Sequence, residues 1–120
     1  DNSEIFIDEI VKEINLCQEK GFQSICLICK TEKNSIYLFN KIKHKLDIQL
    51  IKNGSVSDLQ GVFILPVYMS KGLEFDAVLI CDADSQNYHD EDDKNLLYVA
   101  CTRALHKLSL FCENEVSPLI

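Results

Sequence analysis

The side chains best suited to chemistry stand close together in one loop of the 120-residue chain. Lys71, Gly72 and Glu74 lead into the apolar run 77–81, which is typical of a strand buried on both faces of a parallel sheet. A lysine offers a point charge, a glycine lets a ligand approach the backbone, and a carboxylate accepts hydrogen bonds from hydroxyls. These residue types indicate a binding loop. A purely structural loop stays open as the alternative, because Lys-Gly-x-Glu is a common surface string.

A second stretch, 95–104, reads NLLYVACTRA and follows an acidic loop. Its pattern predicts a buried helix that leads into a strand at 107–112. Together the two stretches resemble motifs V and VI of superfamily 1 helicases of the UvrD/Rep type, with motif V at 66–76 and motif VI at 94–104. The residues in and around these two motifs are most similar to those of the helicase IV-like branch, which includes the RNA-polymerase-associated, HelD-type ATPases. The residues that carry this narrower likeness are Pro66, Asp76, Cys101 and His106.

The resemblance implies the C-terminal, second RecA-like domain of a helicase, whose ATP is bound mainly by the N-terminal RecA-like domain of the same parent chain. By motif position, Arg103 is the arginine that reaches the γ-phosphate, Glu74 is the glutamate that approaches the ribose, and Gly72 belongs to the same cofactor-binding loop. The chemistry is suitable, because charge builds on phosphate oxygens during phosphoryl transfer and a planar guanidinium stabilises it. An arginine that caps its own helix is the alternative interpretation of Arg103.

The resemblance also implies contacts with single-stranded or duplex DNA, for which Tyr68, Ser70 and Lys71 are the expected residues. The family commonly has Thr and His just upstream of the motif V lysine, where this chain has Pro66 and Tyr68. Tyr68 could instead stack on a base or bond a phosphate. A net charge of −7 argues against a broadly basic surface, so any nucleic-acid contact should be local or shared with another domain.

Two absences restrict the activity that the resemblance implies. No G-x-x-x-x-G-K-[ST] loop occurs, so the chain lacks the phosphate cradle and the hydroxyl that would hold Mg²⁺. We therefore expect this chain alone not to hydrolyse ATP, and we expect ATP and Mg²⁺ to be used by a longer parent. The spacing between Lys30 and Pro66 leaves no room for the duplex-engaging insertion of UvrD/Rep enzymes. This favours a translocase or a polymerase-remodelling parent, with RNA polymerase as a candidate partner.

The elements that must position these loops alternate along the chain. An amphipathic helix is predicted from Ser3 to Lys20 with Gly21 as its stop, and a second helix is predicted after the N-cap Thr31. The second helix should bury one stripe, Ile36, Phe39, Ile42 and Leu46. Strands are predicted at 24–29, 48–51, 62–68, 77–81 and 107–112, with a turn at Asn53-Gly54 and a frayed tail from 113 to 120.

This alternation predicts a single α/β domain over residues 1–120, with a RecA-like (P-loop NTPase-type) parallel sheet, helices on both faces and no P-loop. Ligands in such sheets gather at the carboxyl ends of the strands, and the Lys71 to Glu74 loop follows one such end.

Composition excludes several classes of protein. With 47% hydrophobic and 26% charged residues, the chain is typical of a globular domain, and it has no 18-residue apolar span that would indicate a membrane protein. The six cysteines lie mostly in apolar runs, which favours reduced thiols and a cytoplasmic location. Cys26-x-x-Cys29 is not interpreted as a zinc site, because its surroundings are strand-like and no second ligand pair stands at suitable spacing. No metal ligands are predicted.

Two other classes of function stay open. The same alternation is typical of receiver-like or flavodoxin-like modules, in which Asp82 or Asp84 at a strand end would be a phospho-acceptor or a metal ligand. A degenerate RecA-like domain kept only as a protein-binding platform is the other alternative. Intact Arg103 and Glu74 argue against complete degeneration.

Overall fold

Apolar runs form the strands of one parallel sheet in the computed structural model, which describes residues 2–51, 60–113 and 117–119. The strands are β1 Ser24–Cys29, β2 Gln49–Leu50, β3 Gly61–Pro66, β4 Phe75–Ile80 and β5 Ala104–Leu110. Their order across the sheet is β2-β3-β1-β4-β5, and all four pairings are parallel. The central strand β1 is buried along its whole length except at its first residue, as expected for a strand covered on both faces.

The register of the strands defines two opposite edges of the sheet. Ser24 pairs with Gly61, and Cys29 pairs with Pro66, so β1 and β3 begin and end together. Strand β4 pairs with β1 on its other side, in the same direction. We call the end where strands begin, near Ser24, Phe75 and Ala104, the amino edge. The end where they finish, near Cys29, Pro66 and Ile80, is the carboxyl edge.

Helices cover both faces of the sheet, which confirms the predicted RecA-like arrangement. Helix α1 (Asn2–Glu19) and helix α2 (Glu32–Ile42) pack on one face, whereas helix α3 (Glu91–Cys101) and a 3₁₀ turn (Val67–Met69) pack on the other. The two faces therefore bury separate apolar clusters. Cys26 belongs to one cluster and Cys29 to the other, so this pair of thiols cannot chelate one ion from the strand.

Local sequence signals locate the helix ends well. Gly21 adopts φ +87° just after α1, a left-handed conformation that glycine tolerates best, and the Phe22 amide donates to the Cys17 carbonyl. The Thr31 side chain accepts a hydrogen bond from the Asn34 amide, which confirms it as the N-cap of α2.

Several sequence predictions need correction, including the frayed tail from 113 to 120, in which Ser117 is buried and its hydroxyl donates to the Tyr88 carbonyl. In α2, Ile36 is 40% exposed and the fully buried positions are Ser35, Leu38 and Ile42, because the helix is rotated slightly from the predicted stripe. Helix α3 is half-buried rather than buried, and its Tyr98 is 70% exposed.

Strand β5 begins and ends earlier than predicted, and as an edge strand it alternates between half-buried and exposed residues. The predicted turn at Asn53-Gly54 lies outside the described residues. Among the described helices, none is both long and apolar enough to cross a membrane.

Candidate functional site

The segment 67–74 carries the motif V residues, and it runs from one edge of the sheet to the other. It leaves β3 after Pro66 at the carboxyl edge and enters the parallel strand β4 at Phe75, at the amino edge. Glu74 therefore lies at the amino edge. This corrects the expectation that the Lys71 to Glu74 loop would sit at the carboxyl ends of the strands. The expectation failed because a connection between two parallel strands runs from the carboxyl edge back to the amino edge, so its last residues lie at the amino edge.

The middle of this segment is a tight turn anchored in the core. Ser70 is fully buried, its amide donates to the Val67 carbonyl at 2.9 Å, and its hydroxyl donates to the same oxygen at 2.6 Å. The Leu73 amide then donates to the Ser70 carbonyl at 3.0 Å. Gly72 takes φ +78°, and a Cβ placed on it would meet no atom within 4 Å. The turn thus needs glycine for its backbone conformation, while the adjacent Lys71 side chain is exposed.

Motifs V and VI meet at the amino edge through their backbones. The Phe75 amide donates to the Arg103 carbonyl at 2.9 Å, and Phe75 pairs with Ala104 in the β4–β5 register. Glu74 and Arg103 consequently precede adjacent strands at the same edge. The Glu74 side chain is exposed and the Arg103 side chain is partly exposed.

The Arg103 guanidinium is bound to the end of its own helix. Its Nε donates to the Val99 carbonyl at 3.1 Å, and its Nη2 donates to the Thr102 hydroxyl oxygen at 3.1 Å. The Thr102 hydroxyl in turn donates to the Val99 carbonyl at 2.8 Å. This is the helix-capping geometry of the alternative interpretation. In the described part of the chain, no carboxylate lies within ion-pair distance of Arg103.

Asp76 links the start of β4 to the start of β1 at the amino edge. Its Oδ2 accepts hydrogen bonds from the Gln23 amide at 2.8 Å and from the Ser24 amide at 3.3 Å, and its own amide donates to the Ser24 hydroxyl at 2.8 Å. His106 stacks on Phe22 with ring centroids 5.9 Å apart, and its Nε2 lies 3.9 Å from Asp76 Oδ1. Two residues that carry the narrower family wording thus have structural partners here.

The carboxyl edge carries a dense polar network around Asp82. Its Oδ2 accepts from the Lys30 amide and from Asn34 Nδ2, both at 2.8 Å, and Asn34 Nδ2 also donates to Asn87 Oδ1 at 2.9 Å. Asp84 Oδ1 accepts from the amide and the side chain of Asn87. Burial raises the pKa of the Asp82 carboxyl, because the charged form loses solvation. Both aspartates therefore have internal partners that hold the loop 82–87.

A buried ion pair ties the same edge to helix α3. Lys30 Nζ lies 2.6 Å from Asp93 Oδ1, and the Asp93 side chain is 7% exposed. Asp90 and Asp93 also form a reciprocal capping box at the start of α3. The hydrogen bond from Lys30 and the amide bonds from His89 and Asp90 lower the pKa of the Asp93 carboxyl to about 2.

Sequence analysis missed Lys30 and Tyr88 as parts of the carboxyl edge. Tyr88 is fully buried, and burial raises the pKa of its hydroxyl strongly. A cavity of about 240 Å³ lies nearby, between α1, α2 and the loop 82–87, and Asn34, Asp82 and Asn87 contribute its polar wall. Asn34 Nδ2 bonds Asp82 Oδ2 and Asn87 Oδ1, whereas Asp82 Oδ1 is buried without a hydrogen-bond partner among the described residues.

Tyr68 lies on the carboxyl side of the crossing segment and is 56% exposed. Its hydroxyl donates to Glu32 Oε2 at 3.2 Å. Loss of solvation, followed by the charge of Glu32, raises the pKa of the Tyr68 hydroxyl. The structure thus separates the predicted site residues: Glu74 and Arg103 lie at the amino edge, Tyr68 lies near the carboxyl edge, and Ser70 is buried between them.

The amino edge can contribute only part of a nucleotide site. It offers a guanidinium and an exposed carboxylate, which suit a phosphate and a ribose hydroxyl respectively. No cradle of backbone amides like that of a P-loop accompanies them in the described residues around 70–75 and 101–104. A bound nucleotide would need most of its contacts from another domain.

Comparisons with known proteins show the family and the fold of the chain. The family model described as UvrD-like helicase C-terminal domain matches residues 61–111. The chain is similar to the crystal structure of the C-terminal domain of a possible DNA helicase from Lactobacillus plantarum WCFS1, with 31% identity and a TM-score of 0.87, over 97% of this chain and 71% of that chain. A weaker likeness, to an Arterivirus nonstructural protein 10 (helicase) in complex with DNA, has 17% identity and a TM-score of 0.47 over 79% of this chain and 24% of that chain. No curated protein matches the chain.

Proposed function

The chain belongs to the family of UvrD-like helicase C-terminal domains, and from this premise we propose that it completes a composite ATP site in a superfamily 1 DNA helicase or translocase. The observation that carries the proposal is the hydrogen bond between the Phe75 amide and the Arg103 carbonyl, 2.9 Å long. This bond places the residues before β4 and β5 side by side, so one ligand can contact Glu74 and Arg103 together.

Arg103 acts in this proposal on the phosphate end of ATP. A guanidinium forms paired hydrogen bonds with phosphate oxygens and keeps its charge at any physiological pH. Supplied across a domain interface, it stabilises the charge that develops on the transferred phosphoryl group. The N-terminal RecA-like domain of the parent would hold ATP and Mg²⁺, since this chain has no P-loop.

Glu74 acts on the sugar end. Its side chain is exposed, the next residue bonds the Arg103 carbonyl, and a carboxylate can accept hydrogen bonds from ribose hydroxyls. Gly72 supports this position indirectly, because its φ of +78° makes the turn that delivers Glu74 to the amino edge. The proposed site therefore depends on one conformation of the crossing segment.

Lys71 and Tyr68 are the proposed nucleic-acid contacts. Lys71 is exposed, and Tyr68 presents more than half of its surface while its hydroxyl is bonded to Glu32. Ser70 could join them only if its hydroxyl left the Val67 carbonyl, since it is fully buried. Because its net charge is −7, this chain would contact the DNA strand together with other parts of the parent.

The proposal is tested by ATP turnover of the full-length parent, with and without single-stranded DNA. Replacing Arg103 by Ala should lower turnover by about a thousandfold or more while ATP binding persists, because an arginine finger acts mainly on the transition state. The isolated 120-residue chain should be inert. Asp84→Asn at the carboxyl edge is the control, and it should leave turnover within about twofold of wild type.

Wild-type turnover in the Arg103→Ala protein would instead favour the protein-binding platform. Loss of activity in Asp84→Asn with retention in Arg103→Ala would favour the receiver-like alternative. That alternative is disfavoured by the bonds that Asp82 Oδ2 and Asp84 Oδ1 already accept, whereas the buried Asp82 Oδ1 has no partner among the described residues. The motif residues alone support membership in the helicase IV-like branch and a role on RNA polymerase. Composition alone supports a cytoplasmic parent. Co-purification of the parent with RNA polymerase would test the last of these.

A further inference from the structure

We infer that Thr102 is a positioning residue for Arg103, and that it presents the phosphate-binding edge of the guanidinium before ATP arrives. The inference rests on the proposed function and adds a residue to it. The guanidinium binds its own helix through one of its two edges. Nε and Nη2 together form the side edge, and both donate to groups at the end of α3, the Val99 carbonyl and the Thr102 hydroxyl oxygen.

The other edge of the guanidinium is left available. It consists of Nη1 and the outer N–H of Nη2, and none of the described residues accepts a hydrogen bond from it. Paired donors of this kind match two oxygens of one phosphate group. The helix end therefore holds the arginine by its side edge and leaves the end edge for a ligand.

The Thr102 hydroxyl can only act as an acceptor for Arg103 in this arrangement. A hydroxyl has one proton, and that of Thr102 is donated to the Val99 carbonyl at 2.8 Å. Its lone pairs then face Nη2 at 3.1 Å. The Val99 carbonyl belongs to the last turn of α3, where carbonyls lack partners within the helix, so it can accept from both side chains.

Holding the arginine in advance has a kinetic consequence. An unrestrained arginine samples many rotamers, and fixing it only in the transition state would raise the barrier. Thr102 removes part of this cost from the chemical step. It should therefore affect kcat rather than the KM for ATP, since most of the binding contacts belong to the other domain.

The test is a double-mutant cycle on ATP turnover by the full-length parent with single-stranded DNA. Thr102→Val keeps the shape of the side chain but removes the acceptor, so it should lower kcat by about ten- to a hundredfold, with KM for ATP changed less than about twofold. Thr102→Ser retains the hydroxyl and should restore kcat to within about threefold of wild type. In an Arg103→Ala background, Thr102→Val should have no further effect, because it acts through the arginine.

Thr31 supplies a matched control, since it is the only other threonine in the sequence. Its hydroxyl caps α2 at the opposite edge, so Thr31→Val should lower Tm and leave kcat unchanged. The inference is overturned by wild-type kcat in Thr102→Val, or by an equal loss in the Arg103→Ala background. Wild-type kcat in Arg103→Ala alone would overturn the proposed function itself, so the two failures are distinguishable.

Discussion

The two edges of the sheet use polar residues in opposite ways. At the carboxyl edge, Asp82, Asn34 and Asn87 are half-buried and Asp93 is buried, and they bond one another, Lys30 or nearby backbone. Among the described residues there, Asp82 Oδ1 and the Tyr88 hydroxyl are buried without a partner. At the amino edge, Glu74 is exposed, and the guanidinium of Arg103 bonds only through one side. A satisfied network stabilises a fold, whereas unused donors and acceptors are available to a ligand.

This contrast shows why the usual rule for α/β proteins misleads here. Ligands of open parallel sheets usually bind beyond the carboxyl ends of the strands. In this domain most polar side chains at those ends bond one another, and the motif residues that implied nucleotide contact precede strands β4 and β5. The difference is expected of a domain that completes a site held by another domain. If it is correct, substitutions at the amino edge should change activity, and substitutions at the carboxyl edge should change stability.

The largest expected effect is at the amino edge. Arg103→Lys keeps the charge but loses the planar pair of donors, so turnover of the parent should fall by about a hundredfold or more. The Tm of the isolated domain should stay within about 2 °C of wild type, because Arg103 is only partly buried. Phosphate release and thermal unfolding measure the two quantities. Wild-type turnover in Arg103→Lys would show that the donors of Arg103 at the amino edge do not govern activity.

Asp93→Ala should have the largest effect at the carboxyl edge. It leaves Lys30 without its partner at 2.6 Å and removes half of the capping box of α3. We expect a loss of about 2 kcal/mol in the free energy of unfolding, with turnover of the folded parent retained. Urea denaturation of the isolated domain measures the loss. A variant as stable as wild type would mean that the network at this edge contributes little.

The same carboxylate predicts a pH dependence. The folded-state pKa of Asp93, about 2, lies below its ordinary value, so its stabilisation is present near neutral pH and is lost as pH falls from about 4 to about 2. Asp82 has the opposite sign, since burial raises its pKa, and its ionised form opposes folding as pH rises above the ordinary value. Denaturation at several pH values should show a shallower acid loss in Asp93→Asn, and in Asp82→Asn a relative gain towards neutral pH.

Gly72→Ala should have a smaller effect and tests the turn rather than either edge. At φ +78° an alanine is strained by about 1 kcal/mol, although the space for its Cβ is open. Gly21→Ala, at φ +87° beyond α1, is the matched control and should cost a similar amount of stability. Only the Gly72 variant should also raise the KM for ATP of the parent, because it alone disturbs the approach to Glu74. Equal KM values in the two variants would show that the backbone conformation at Gly72 does not affect the ATP site.

Much of the fold could be predicted from local sequence. Strand β1 has the predicted bounds, and Thr31 and Gly21 mark helix ends as expected, because caps and buried apolar runs depend on neighbouring residues. The exposed position of Ile36 could not be predicted. The buried face of α2 includes the polar Ser35, which an apolar pattern does not mark, so packing against the sheet decides which face is buried.

The sequence names candidate site residues but not their places in the fold. Motif likeness predicts roles for Glu74 and Arg103, and their common edge follows from the β4–β5 register, which no local pattern encodes. The partners Lys30 and Asp93 are distant in sequence, and neither stands in a recognisable motif. Their pairing depends on the tertiary fold, as does the contact of Arg103 with its own helix.

The eight residues between β3 and β4 also have a mechanical consequence. They must pass strand β1 and return by one strand length, a path of about 22 Å for strands spaced about 4.8 Å apart. A 3₁₀ turn and the bonded turn after it use up much of their reach, so little slack remains. Such a segment behaves as a short strut between Tyr68 and Glu74. A force applied near Tyr68 would therefore reach Glu74 without any change in the sheet.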